Sequence, residues 1–150
     1  MPISYTYRLL KGASWGIAIT LRGEILTGTV LPSDTLKITE GVWLQIDAGW
    51  RPSEEELEFL KLGMNLVASD VEKTYRGRTP ILARLTGLHY NPTDYQPEGL
   101  AAAVAEWTAH LCGFPRPEIS VSYSRTQRRY VFDFPHAEKD ALRGDGERVG

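Results

Sequence analysis

The sequence predicts an α+β fold, a mostly antiparallel sheet with two helices packed on one of its faces. Three observations carry this. The first fifty residues are rich in β-branched and aromatic types broken by Gly12, Gly16, Gly23, Gly28, Pro32 and Gly41, the punctuation of short antiparallel strands. Two later stretches repeat apolar residues at steps of three and four, with an extended run between them, which is helix, strand, helix. The segment before the tail alternates apolar and polar residues around a short polar connection, the pattern of a hairpin.

Taken in order, the candidate strands of the first part are residues 4–10, 15–21, 24–30 and 42–47, read as a meander with Arg22 and Gly23 at a tight turn. Pro52-Ser53-Glu54-Glu55-Glu56 opens the first helix. Ser53 and Glu56 have the spacing of a capping box, and three carboxylates suit the positive end of the helix dipole. Leu57, Leu60, Met64, Val67, Val71 and Tyr75 form its apolar stripe, so Met64 is expected to be buried, and Gly77 to end the helix. Pro80 opens an extended run over residues 81–88, and residues 87–95 read as a loop of turn-forming and polar aromatic residues. Pro97 fits the first turn of a second helix whose stripe is Leu100, Ala103, Val104, Trp107 and Leu111, stopped by Gly113. Residues 119–124 and 129–134 form the hairpin, with Ile119, Val121 and Tyr123 on one face. From His136 the chain is charged and lacks periodicity, so one domain over residues 1–135 is expected, followed by a disordered tail over 136–150.

A chain of 150 residues, 42% hydrophobic and 24% charged, suits one domain burying roughly two-thirds of its unfolded surface. With a formal charge of -2 there is no global field to attract nucleic acid or an anionic membrane, so a polyanion partner would need a local patch. No apolar run approaches the ~18–20 residues of a membrane span, and the first ten residues are too polar for a signal peptide, so no membrane partner and a cytoplasmic location are expected. The lone Cys112 excludes an internal disulfide and a multi-cysteine zinc site. His110, four residues after Glu106, reads as a helix-surface histidine bonded to that carboxylate. Neither a metal nor a cofactor is implied.

Residues 54–112 resemble the central part of domain IV of elongation factor G and of the tetracycline-resistance ribosomal protection proteins. In that family a long helix is followed by a strand, a glycine-bearing turn with an aromatic and often a proline, and a second helix rich in small residues. The matching segments are residues 54–76, 81–86, Gly87-Leu88-His89-Tyr90-Asn91-Pro92, and Glu98-Gly99-Leu100-Ala101-Ala102-Ala103-Val104-Ala105-Glu106-Trp107, while Lys11-Gly12-Ala13-Ser14-Trp15-Gly16 is similar to the family's glycine-rich segment. The resemblance implies an elongation factor G domain IV-like fold and an association with the ribosome. It does not extend to nucleotide hydrolysis, because no GxxxxGK[ST] loop occurs and Lys73-Thr74 lacks the preceding glycines.

Two constellations carry chemistry. His89, Tyr90 and Asp94 put an imidazole, a phenol and a carboxylate within six residues, a set suited to proton transfer, and Tyr95 and Trp50 are candidates for holding a small aromatic ligand. Trp50 is expected to be exposed. Arg125, Arg128 and Arg129, between Tyr123 and Tyr130, form the densest basic patch and are candidates for RNA. The first functional reading is therefore a small non-enzymatic binding or accessory protein associated with RNA or the ribosome. The alternative is a cofactor-independent cyclase, isomerase or dehydratase using His89, Asp94 and Tyr90, and a third reading is a homo-oligomer assembled through an uncovered sheet face or edge.

Overall fold

The β-branched run after Trp15 builds one strand, and the rest of the sheet is organised around it. The computed structural model describes residues 1–47 and 49–135. Strand β1 (Ile3–Leu9) is followed by β2 (Ile17–Thr27), β3 (Leu36–Lys37), β4 (Val42–Ile46), helix α1 (Glu54–Thr74) and β5 (Ile81–Tyr90). A 3-10 turn (Pro92–Asp94), helix α2 (Gly99–Cys112) and the hairpin β6 (Ser120–Ser124) and β7 (Arg129–Asp133) complete it. The five-stranded sheet has the order β1-β2-β5-β4-β3, antiparallel except where β5 lies parallel to β4. That one parallel pair is the consequence of α1, since parallel neighbours need a crossover connection. The fold is α+β, as the sequence predicts. The expected tail lies outside the described residues.

Two expectations about the sheet are corrected. Arg22 and Gly23 do not turn: β2 runs straight through them, so the candidate strands at 15–21 and 24–30 are one strand, and β5 separates β2 from β4 where a meander was expected. Gly23 serves close approach. A Cβ there would run into the carbonyl oxygen of Arg84 and come within 2.9 Å of the Trp107 ring, which is a reason for glycine inside a strand. A register shift falls at the same place, between Arg22 and Gly23, and Gly87 stands opposite Arg22 at this bulge. Residues 87–90 are accordingly strand and not loop, pairing Leu88 with Leu21, His89 with Thr20 and Tyr90 with Ile19.

The helices pack where their stripes predict. Ser53 Oγ accepts from Glu56 N at 3.1 Å and Glu56 Oε1 from Ser53 N at 2.9 Å, completing the capping box. Leu60, Met64, Val67 and Val71 of α1 are buried against Leu100, Ala103, Val104 and Trp107 of α2 and the inner sheet face. Gly63 brings the two helices together, for a Cβ there would strike the Ala101 carbonyl and Val104. α2 ends at Gly113, whose φ of 84° is the left-handed conformation that favours glycine.

The hairpin is pinned through Tyr130, which is buried. Its hydroxyl donates to the Trp15 carbonyl at 2.7 Å and accepts from Lys11 N at 3.2 Å. The side-chain amide of buried Gln96 grips its backbone from the other side, donating to Tyr130 O at 2.6 Å and accepting from Tyr130 N at 2.9 Å. Gln96 thus satisfies both groups of one strand residue, as a neighbouring strand would.

Candidate functional site

Alternation along β1, β2 and β5 divides their side chains between two faces. On β2, Ile17, Ile19 and Leu21 are buried towards the helices, so Ala18, Thr20, Arg22 and Glu24 point the other way. The register places Ser4, Thr6 and Arg8 of β1 and His89 and Arg84 of β5 on that same helix-free face. Ser4, Arg8, Arg22 and His89 are all exposed there.

The charges on this face are unevenly matched. Arg84 holds two carboxylates: its Nε donates to Asp47 Oδ2 at 3.1 Å, a second nitrogen pairs with the same oxygen, and Nη1 reaches Glu24 Oε2 at 3.3 Å, while the neighbouring Gln45 donates to a third, Asp34, at 3.0 Å. Glu24 also takes the Met1 ammonium at 3.2 Å. Among the described residues no ion pair forms to Arg8 or Arg22. Between them the Thr6 and Thr20 hydroxyls lie 2.7 Å apart. One hydroxyl of such a pair donates to the other and leaves the second proton free for an outside acceptor. At the end of the face, Arg8 and Ala18 line an open cleft of about 330 Å³ with Asp94.

Of the sequence-predicted set of His89, Tyr90 and Asp94, His89 and Tyr90 are turned apart. His89 and Tyr90 are consecutive on β5 and therefore project to opposite faces. Tyr90 stacks on Tyr95 with ring centroids 3.9 Å apart, and the Tyr95 hydroxyl donates to Glu56, the same carboxylate that caps α1. Burial and then that bond push the Tyr95 phenol well above its ordinary range. Tyr95 thereby ties the segment before α2 to the start of α1, with its polar atom already engaged. Trp50, expected to be exposed, is half-buried against the core. His110 lies against Tyr5, ring centroids 5.2 Å apart, while Glu106 accepts from the Tyr5 hydroxyl at 2.8 Å and pairs with Arg116 at 3.6 Å; the expected Glu106–His110 bond is not the one that forms.

Of the three hairpin arginines, Arg129 pairs with Glu98, and Arg125 and Arg128 are exposed at the turn. Arg128 adopts a φ of 57°, closing the loop with its N–H on the Ser124 carbonyl at 2.7 Å. The residues that sequence reasoning missed are Arg8, Arg22, Thr6 and Thr20. Their signal was present as alternation: Ser4, Thr6 and Arg8 interleave with Tyr5, Tyr7 and Leu9, a polar face beside an apolar one.

Comparison of the chain with protein-family models, curated proteins and solved structures gives no match. Among the described residues no helix is long and apolar enough to cross a membrane.

Proposed function

We propose that the protein is a non-enzymatic RNA-binding accessory protein whose contact surface is the helix-free face of the sheet. The observation that carries this reading is the pair of exposed arginines, Arg8 and Arg22, which form no ion pair among the described residues and stand beside exposed His89, while Arg84 takes Glu24 and Asp47, Gln45 takes Asp34, and Asp94 lines the cleft next to Arg8. Two arginines without ion-pair partners on one face of a chain of net charge -2 give a polyanion a local place to dock. Arg125 and Arg128 supply a second, smaller contact. The order of α1, β5 and α2 is the one the resemblance to elongation factor G domain IV rests on, although residues 87–90 of its turn segment are strand here, and ribosomal RNA is the first partner to try. The acid/base alternative would need His89 and Tyr90 to meet one substrate, and their opposite faces argue against it.

Fluorescence anisotropy with structured RNA tests the reading. The double variant Arg8→Ala, Arg22→Ala is expected to weaken binding at low salt and to lower the slope of log K against log salt by roughly two, since each lost phosphate contact removes about 0.9 from it. Arg125→Ala with Arg128→Ala should lose less affinity. A wild-type protein that binds no RNA in about 50 mM salt, where counterion release is most favourable, contradicts the proposal.

A further inference from the structure

Resting on that reading, we infer that the helix-free face recognises double-stranded RNA through its phosphates and 2′-hydroxyls, and not single strands through their bases. Recognition of single strands relies on exposed rings on which splayed bases stack. Here the aromatic side chains of the strands are turned away: Tyr5, Tyr7 and Tyr90 share the inner side with Leu21 and Ile19, and Tyr7 is buried. Trp43 does face outward, in register with Leu82, but it is half-buried and lies on β4, beyond the Arg84 ion pairs. His89 is the one exposed ring in the central region.

What the face offers is an ordered alternation of cations and hydroxyls. Arg8 pairs with Ala18, Ser4 with Arg22, and Thr20 with Thr6 on one side and His89 on the other. From the Arg8 row to the Arg22 row is four residues along β2, or about 13 Å at the usual strand rise, with the linked threonine hydroxyls midway. The wide, shallow minor groove of an A-form duplex shows phosphates at its two rims and 2′-hydroxyls between them, and a flat surface can meet it without entering a groove. Arg8 and Arg22 fit the rims. The Thr6–Thr20 pair, with one proton free, fits the 2′-hydroxyl row, because a 2′-hydroxyl both donates and accepts. Gly87, paired with Arg22, adds no side chain to the surface there.

The full chain is titrated, at about 50 mM salt, with an RNA duplex of about 20 base pairs, the DNA duplex of the same sequence, one RNA strand designed to be unstructured, and the RNA duplex carrying 2′-O-methyl groups. The RNA duplex is expected to bind roughly tenfold tighter than the DNA duplex or the single strand, the scale of one or two lost hydrogen bonds. The 2′-O-methyl duplex, still A-form but without the 2′ donor, should lose most of that advantage. Thr6→Val with Thr20→Val should bring the RNA and DNA duplexes to similar affinity and leave the salt slope unchanged; if that variant does not fold, the 2′-O-methyl comparison on the wild-type chain decides the same question. Equal affinity for RNA and DNA duplexes, or preference for the single strand, overturns this inference while leaving nucleic-acid binding intact. Failure to bind any of the four probes overturns the underlying reading as well.

Discussion

Replacing Met64 by aspartate is expected to leave the protein unfolded at room temperature. Met64 sits at the centre of the α1 stripe with 0% of its surface exposed, and its sulfur lies 3.4 Å from the Thr108 hydroxyl, which donates to the Val104 carbonyl at 2.7 Å. A carboxylate there has no cation to pair with, so it either stays charged at a cost of several kcal/mol or takes up a proton at a strongly raised pKa, with the lost packing added. A domain of this kind has roughly 5–15 kcal/mol of stability in total. Met64→Leu keeps volume and polarity and should cost less than about 1.5 kcal/mol. Circular dichroism during thermal and urea unfolding separates the two variants. An aspartate variant melting within a degree or two of wild type would mean that α1 does not support the sheet through this residue.

Tyr130→Ala is expected to cost about 3–5 kcal/mol, the range for deleting a buried aromatic ring. Its ring meets Trp15 and Tyr123 edge-on, with centroids 5.1 and 5.0 Å away, and fastens the two-stranded sheet to the β1–β2 connection. Tyr130→Phe keeps the ring and removes the hydroxyl that serves both the Trp15 carbonyl and the Lys11 N–H. It should cost about 0.5–1.5 kcal/mol, the net worth of an ordinary hydrogen bond, since water can reach the partly exposed Lys11 N–H and Trp15 carbonyl. Amide exchange would locate the damage: protection lost first across Ser120–Ser124 and Arg129–Asp133 and retained in α1 is the expected pattern. Uniform loss across the chain would mean that the hairpin and the main sheet form one cooperative unit.

What could be read from the sequence was whatever local chemistry decides. α1 was legible because its cap, its dipole-matching glutamates and its stripe all point to one answer, and α2 because Pro97, the stripe and Gly113 bound it. Gly23 was misread because the same residue serves a turn or a close approach, and what decides here is Trp107, distant in sequence, packing beneath the strand. Gly87 was misread for a similar reason: close to Asn91 and Pro92 it looks like the start of a loop, yet it pairs with Arg22 inside β5, next to the bulge at Thr86. The candidate site suffered most. Arg8, Arg22 and His89 stand on three strands, and only the β1-β2-β5 register gathers them. The densest arginine cluster, by contrast, gives up Arg129 to Glu98, a partner that no spacing rule connects to it.

RNA held on the helix-free sheet face would be seen in backbone amide chemical shifts followed by NMR during titration with an RNA duplex. The predicted result is a set of perturbations at Ser4, Thr6, Arg8, Thr20, Arg22 and His89 that saturates together and collapses as salt is raised. Perturbations confined to residues 125–129, or to Tyr90 and Tyr95 on the opposite face, would contradict it.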